Sequence, residues 1–301
     1  MTKVAVAGEA AVGLSHGTPV GPSRRGAGRR FLGSGGLAPW GALVLLALVA
    51  VALFPGAVTR HDPYRIDADR RLAPPSLAHP FGTDELGRDV WSRVAHGTRL
   101  SLGVALLVVI VSGTTGTAIG LAAGYGGGPW SELVMRVADI FIAFPALIMA
   151  MAITALLGPG LGNAMLAVMV IWWPQYTRLA RGQVLGEKVK PYVEAAHAMG
   201  LPAATVLWRH ILPNSWVPLL IKATMDVGLA LLLTASLSFL GLGAKPPTPE
   251  LGALVTQGRE HLLSAWWYST FPGLTIFLAV FACNLLGDGL RDALDPALGR
   301  E

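Results

Sequence analysis

Residues 190–213 read KPYVEAAHAMGLPAATVLWRHILP, and they stand between two apolar segments of the chain. The pattern predicts two short helices that meet at a corner, because Gly200 suits the left-handed residue that follows a helix. Pro202 suits the first turn of the second helix, where its missing N–H costs nothing, and Pro213 is expected to end that helix. From the residues alone, the corner is either a knob that fits a partner protein or an ordinary amphipathic segment at a membrane surface.

The chain on both sides of this corner is apolar enough to cross a membrane several times. Apolar residues make up 53% and charged residues 14% of the 301 residues, whereas a typical soluble domain has about 25% charged residues. A spanning helix needs about 20 mostly apolar residues. The candidate segments are 37–57, 101–123, 133–157, 164–176, 216–240 and 271–286. The sequence therefore predicts an all-α membrane protein with six transmembrane helices, and it argues against a soluble enzyme or a disordered chain.

The segment 37–57 follows a stretch rich in Gly, Ser and Arg, an order that a cleaved signal peptide also shows. It is longer than the apolar part of a usual signal peptide and no convincing small-residue cleavage site follows, which favours an uncleaved anchor. Residues 1–36 are predicted to be cytoplasmic and disordered. Residues 58–100 are predicted to form an outer segment, residues 101–290 a core domain with five spans, and residues 291–301 a cytoplasmic tail.

The basic residues near the ends of the spans predict the orientation of the chain. The stretch before the first span and the loop between the fourth and fifth spans each carry five. They are Lys3, Arg24, Arg25, Arg29 and Arg30, then Arg178, Arg181, Lys188, Lys190 and Arg209. Because six spans place both termini and that loop on one side, we expect all three in the cytoplasm. The outer segment also carries six basic residues up to residue 97, which six acidic residues balance.

Two pairs of charged residues lie inside predicted spans, where a charge requires a partner or a water-filled cavity. Lys222 and Asp226 are four residues apart, so they are either a structural ion pair or part of the wall of a solute path. Arg136 and Asp139 are three apart and are predicted to pair with each other. Trp173 either packs inside the bundle or lines the same path.

The sequence lacks the patterns of several other kinds of site. The outer-segment histidines His61, His79 and His96 show no tight metal-ligand spacing, so no metal site is predicted. No phosphate-binding loop of the form G-x-x-x-x-G-K-[ST] occurs, so ATP hydrolysis is not expected on this chain. No nucleophile–base constellation and no basic polar domain is present, which predicts a non-catalytic protein without a nucleic-acid partner.

The corner resembles the EAA loop of ABC-importer permeases. The matching residues are Glu194, Ala195, Ala196, Gly200, Leu212 and Pro213. The general pattern has Ile where this chain has His210, and Ala-Ser is commoner where it has Leu201 and Pro202. The run RHILPN at 209–214 is instead similar to the dipeptide, oligopeptide and nickel branch of that family.

Other segments resemble the C-type subunit of the same branch, in order along residues 79–296. They are 79–84, 87–89, 92–93, 135–136, 139, 143–145, 237–243, 246–247, 258–259, 266–267, 272–273, 284–288 and 290–296. Leu251 departs from the Trp that often precedes the glycine at this position. One such motif would be weak, but this number in sequence makes the resemblance specific.

The resemblance implies a type I ABC-importer permease fold in a bacterial plasma (inner) membrane. A sister permease would complete a path for di- or oligopeptides, with nickel complexes and glutathione-like solutes as alternatives. Two ATPase subunits or domains would hold the ATP and Mg²⁺, an extracytoplasmic solute-binding protein would deliver substrate, and no cofactor is expected on this chain. A secondary transporter is the alternative of a different class, although the sequence shows no clear internal repeat.

The resemblance also implies which residues of the loop contact or position an ATPase. They are Glu194, Ala195, Ala196, Gly200, Leu201, Pro202, Ala203, Val206, Leu207, Arg209 and His210. A coupling helix at about 202–210 would dock in a cleft on one ATPase. Closure of the ATPases would then move this helix and switch the bundle from an inward-facing to an outward-facing state.

Overall fold

The computed structural model describes residues 37–294, and these residues form helices joined by loops, of which 59–89 and 240–250 are the longest. Within that range there is no β-strand, and an isolated bridge joins Thr83 to Asp89. The all-α prediction is therefore confirmed. The disorder predicted for residues 1–36 and the last part of the predicted tail, residues 295–301, lie outside the described residues.

The helices differ greatly in length. In chain order they are α1 (Ala38–Leu53), α2 (Pro55–Val58), α3 (Val90–Gly126), α4 (Gly128–Ala143), α5 (Ala146–Leu157), α6 (Leu161–Lys188), α7 (Pro191–Ala198), α8 (Ala203–Val206), α9 (Leu212–Phe239), α10 (Leu251–Arg259) and α11 (Trp267–Leu294). A 3₁₀ turn occupies Ala68–Arg70, and a π turn at Leu207–Ile211 joins α8 to α9.

Several of these helices meet the requirements for a membrane span. By length and composition, α3, the continuous helix Ala203–Phe239 and α11 are long and apolar enough, and α4 with α5 qualifies as one bent pair. Helix α1 is apolar but has only 16 residues. Helix α6 contains the short predicted span 164–176 and continues to Lys188, so its 28 residues extend about 42 Å, beyond the hydrocarbon core of a bilayer.

The predicted kink at Pro145 is a complete break in the helix. Phe144 is extended, with φ −92° and ψ 144°, and the axes of α4 and α5 differ by 94°. The residue before a proline is pushed out of the helical region, and proline itself cannot donate the next backbone hydrogen bond. The third span is therefore two short helices at nearly a right angle.

The prediction that Pro213 ends the second short helix is wrong. The helix runs without interruption from Ala203 to Phe239, and Pro213 lies in the first turn of α9. In the π turn the Leu212 N–H donates to the Leu207 carbonyl, five residues back. The extra residue of a π turn changes the local hydrogen-bond pattern, which accommodates a proline that cannot donate. Pro202 precedes this helix as its N-cap residue, and α8 begins at Ala203.

The centre of the bundle is the parallel contact between α3 and α6. The two backbones approach closely at Gly116 and Gly120, where an added Cβ would lie 2.3 Å from the Trp173 carbonyl oxygen and 2.4 Å from the Thr177 carbonyl oxygen. The Thr177 hydroxyl donates to the Gly116 carbonyl at 2.9 Å. Small residues spaced four apart thus allow tight packing of two apolar helices.

The outer segment folds onto the ends of α3, α10 and α11. The Phe81 ring stacks on Phe271 with 3.9 Å between centroids, and the Trp267 indole donates to the Thr83 carbonyl at 3.2 Å. The buried Asp84 carboxylate accepts from Arg88 at 2.6 Å and lies 3.5 Å from Arg93 Nε. Paired in this way, the buried charges hold the outer segment as a folded cap at the opposite end of the molecule from residues 190–213.

Candidate coupling loop and polar track

The corner at residues 190–213, here called the coupling loop, has the predicted shape. Helix α7 ends at Ala198 and is followed by Met199 and by Gly200, whose φ is +74°; the Leu201 N–H donates to the Ala196 carbonyl at 3.2 Å. This is the hydrogen bond of a helix end that requires a left-handed residue. No atom lies within 4 Å of a Cβ added to Gly200, so backbone conformation rather than crowding favours glycine there.

An apolar face of the coupling loop is buried against the bundle. Val193 and Ala196 of α7 and Val206 of α8 join Ile211 in a small core with residues of α3 and α6. All four are at most 1% exposed. The loop is therefore held against the ends of the two central helices rather than free in solvent.

The predicted coupling residues divide into three groups by exposure. Those exposed to a partner are Glu194, Ala195, Gly200, Pro202, Ala203 and Arg209. Ala196 and Val206 are buried in the small core, and Leu201, Leu207 and His210 are half-buried. The first group has the accessibility that docking requires, while the buried residues act on the position of the loop.

The sequence analysis did not identify the polar residues that surround the coupling loop. Tyr192 lies in α7, yet its hydroxyl contacts Glu187 of α6 and Asn214 of α9. The Tyr125 hydroxyl at the end of α3 is 2.8 Å from His197 Nε2. The partners in these contacts are up to 72 residues apart in the chain, so the local spacing of residues does not predict the contacts.

Lys222 and Asp226 form the predicted ion pair, with 3.0 Å between Lys222 Nζ and Asp226 Oδ2. The Trp172 indole donates to the same carboxylate at 3.1 Å, and the Gln175 side-chain oxygen accepts from Lys222 at 3.0 Å. The ammonium also lies 5.2 Å from the centre of the Tyr176 ring. The pair thus connects α9 to one face of α6.

The predicted pairing of Arg136 with Asp139 is wrong, because the Asp139 carboxylate pairs with Arg178 of α6. Helix α4 packs against α6, and this places Asp139 opposite a cation that is 39 residues away in the chain. The Arg178 and Asp139 side chains are 53% and 59% exposed. Charged side chains with this exposure face water or a partner protein rather than lipid tails.

We call Asp139, Arg178, Gln175, Lys222 and Asp226 the polar track. Gln175 and Arg178 are three residues apart on α6, so they share a face of that helix and join the two ion pairs. Trp173 is half-buried beside the track, where its ring packs edge-on against Phe141 of α4 with 5.9 Å between centroids. Its place in a solute path stays a prediction.

The outer segment brings together three residues that showed no metal-ligand spacing in the sequence. Ligand atoms of His61, His79 and Asp89 lie within 4.8 Å of one another. His79 Nδ1 is 2.9 Å from Asp89, and its Nε2 is 3.0 Å from Arg70 Nη1. Since a guanidinium can only donate, Nε2 accepts from Arg70, and Nδ1 carries the hydrogen that it donates to Asp89 in a hydrogen bond. In this arrangement His79 has no free lone pair for a metal ion.

Helices long and apolar enough to cross a membrane, a track of charged side chains and a helical corner against the end of the bundle are the features expected of a membrane transport protein. Residues 116–300 match the family described as "Binding-protein-dependent transport system inner membrane component". This chain belongs to that family, and it is a multi-pass inner-membrane permease subunit of an ABC importer.

Relatives of known name match across most of the chain. A probable D,D-dipeptide transport system permease protein of Escherichia coli (strain K12) is 44% identical over 86% of this chain and 87% of its own length. A di/tripeptide transport system permease protein of Pseudomonas aeruginosa has the same identity and coverage. A glutathione transport system permease protein of Pectobacterium atrosepticum is 44% identical over 90% of each chain.

A solved structure supports the fold. The MetNI methionine ABC transporter, in an inward-facing conformation, matches with a TM-score of 0.50 over 65% of this chain and 95% of its own. The sequence identity is 20%, so the match concerns the type I importer permease fold alone.

Proposed function

We propose that this permease subunit imports dipeptides or oligopeptides. The observation that carries the proposal is the 44% identity, over 86% of the chain, to relatives named for dipeptide and for di/tripeptide transport. A glutathione permease is equally similar, and glutathione is itself a modified tripeptide. Glutathione-like solutes are therefore the second candidate within the same class of peptide substrates, and nickel complexes are a third possibility.

The polar track supports a path for such a solute. It presents charges of both signs on a face of α4, α6 and α9, where a zwitterionic peptide could pass without losing all its polar contacts. A sister permease would cover this face, because lipid tails cannot solvate the exposed Asp139 and Arg178 side chains. Lys222, Asp226 and Trp173 would then belong to the wall of the path.

The exposed surface of the coupling loop supports the proposal that separate ATPases power the transport. Glu194, Ala195, Pro202 and Arg209 are exposed on its surface and would enter the cleft of an ATPase subunit or domain. ATP and Mg²⁺ would be bound there, and this chain would be non-catalytic. The concentration of Lys and Arg near the loop supports a cytoplasmic position for the loop and both termini.

Transport assays with the purified complex test this proposal. The chain is co-purified with its partners, reconstituted in liposomes with ATP on the ATPase side, and supplied with its binding protein. We expect ATP-dependent uptake of labelled L-alanyl-L-alanine that exceeds uptake of glutathione and of a nickel–histidine complex. Preference for either competitor would change the substrate class, and uptake without ATP by the chain alone would indicate a secondary transporter.

A further inference from the structure

Helix α7 is the short helix of the coupling loop that does not continue directly into a long helix. Its eight residues are too few to be stable without packing. By contrast, α8 continues through the π turn into α9, so that any movement of α8 is passed to α9 through the backbone. Movement can reach α6 from α7 only through the linker Val189 and Lys190 and through side-chain contacts.

The Tyr192 hydroxyl supplies such a contact. It donates to the Glu187 carboxylate at the end of α6, and the same carboxylate accepts from Lys190 Nζ at 2.6 Å. Burial and the hydrogen bond to Glu187 raise the pKa of Tyr192 to about 12, so the phenol keeps the proton that it donates. The Glu187 side chain is only 9% exposed, which limits competition from water.

The same hydroxyl also reaches the start of α9. Asn214 Nδ2 lies 3.3 Å from the Tyr192 oxygen and donates to the His210 carbonyl at 2.6 Å. Glu187, Tyr192 and Asn214 therefore form a continuous chain of hydrogen bonds from the last turn of α6 to the first turn of α9. We call these three residues the Tyr192 latch.

A second contact fixes the other end of α7. His197 Nε2 is 2.8 Å from the Tyr125 hydroxyl, and Lys188 Nζ donates to the Tyr125 carbonyl at 2.8 Å. This contact connects α7 to the end of α3, while the buried Val193 and Ala196 provide apolar packing between the two polar contacts. Helix α7 is thus held at both ends. The contact at its N-terminal end, the Tyr192 latch, also joins α6 to α9.

We propose that Tyr192 is a positioning residue for energy coupling, through which a displacement of the coupling loop is transmitted to α6 as well as to α9. The proposal rests on the proposed function, in which ATPases move the loop. Without the latch, α9 still follows the loop because the backbone is continuous. Helix α6 carries Gln175 and Arg178 of the polar track. Without the latch, it loses the hydrogen bond between its buried Glu187 carboxylate and Tyr192, which links it to the moving helix α7.

Replacement of the hydroxyl alone tests the proposal in the assembled transporter. Tyr192→Phe keeps the ring, and Tyr64→Phe is the matched control, since the Tyr64 hydroxyl makes no hydrogen bond within residues 37–294. We expect Tyr192→Phe to lower L-alanyl-L-alanine uptake per ATP hydrolysed by about tenfold, as the loss of a hydrogen bond to a charged group predicts. Complex assembly and basal ATP hydrolysis should stay at the wild-type level. Normal coupling in the variant, or failure of the complex to assemble, would overturn the proposal.

Spin-label distances give a test that needs no substrate. The exposed positions Leu77, Leu185 and Trp216 serve as label sites on the outer segment, α6 and α9, and the native Cys283 is too buried to react. On ATP–vanadate trapping, both the 77–185 and the 77–216 distances should shift in the wild type. Tyr192→Phe should abolish the first shift and preserve the second. Equal shifts in variant and wild type would contradict the proposal, whereas no ATP-driven shift in the wild type would count against the proposed function itself.

Discussion

The Asp226 carboxylate depends on several neighbours at once. It is 2% exposed, and it accepts hydrogen bonds from Lys222 and from the Trp172 indole. Removing one partner of a buried pair leaves an uncompensated charge, whereas replacing both partners by apolar side chains of similar volume is often nearly neutral. The two kinds of substitution therefore distinguish a structural ion pair from a wall of the solute path.

Asp226→Asn should lower the free energy of unfolding by about 3 kcal/mol, because Lys222 then loses its counter-ion inside the membrane. The double variant Lys222→Met, Asp226→Leu should restore stability to within about 1 kcal/mol of the wild type. Thermal unfolding of the detergent-solubilised chain measures both effects. If the stable double variant has lost uptake, the pair belongs to the path. If it imports peptide normally, the pair is structural and our path assignment is wrong.

Gly200 allows a second prediction for a single residue. A Cβ at φ +74° strains the backbone by about 1–2 kcal/mol, and a Glu side chain would add a charge at the corner. Gly200→Glu and Gly200→Ala should therefore reduce uptake per ATP, whereas Gly200→Asn should keep most of it, because Asn tolerates the left-handed region. Gly186→Ala in α6, where a Cβ also meets no atom within 4 Å, is the control and should be silent. Unchanged uptake in all three Gly200 variants would contradict this role.

The residues of the site were predictable only where the signal is local. The i,i+4 pair of Lys222 with Asp226 follows from spacing within one helix. The pairing of Asp139 with Arg178 and the contact of Tyr192 with Asn214 depend on how separate helices pack, which no local pattern records. Resemblance to a family identified the loop, but it did not identify what holds the loop in place.

At the scale of elements, the contact between α3 and α6 sets the geometry of the bundle. Gly116→Ala would place a Cβ 2.3 Å from the Trp173 carbonyl oxygen, so the helices must separate. We expect a loss of about 1–3 kcal/mol, which is the usual cost of overpacking. Gly103→Ala in the same helix meets no atom within 4 Å and should not destabilise. Unfolding midpoints in one detergent compare the two, and equal midpoints would disprove the tight contact.

Prolines account for two differences between the predicted and observed elements, at Pro145 and at Pro213. Composition located the apolar segments well, because hydropathy depends on the residues alone. The effect of a proline depends on the backbone around it, so the same residue type breaks the chain by 94° at Pro145 and continues a helix at Pro213. A π turn upstream of Pro213 makes the second outcome possible, and the sequence shows no sign of it.

For the whole molecule, the outer segment and the coupling loop lie at opposite ends of the bundle, and their orientation can be measured directly. Leu77 is fully exposed on the outer segment and Met199 is 71% exposed on the loop, while Cys283 is buried. In intact cells, a membrane-impermeant maleimide should label Leu77→Cys and should leave Met199→Cys unlabelled. Inverted membrane vesicles should show the reverse. The opposite pattern would place the loop outside the cell and exclude its contact with an ATPase.

The unbroken helix Ala203–Phe239 joins the coupling loop to the polar track, and this gives it the properties of a lever arm. Its 37 residues extend about 55 Å. A rotation of about 10° about one end would move the other end by roughly 10 Å, which is the scale of an opening that admits a small peptide. The π turn lies near the end of this arm that belongs to the coupling loop, so a slight change in its winding would tilt the whole length of helix that carries Lys222.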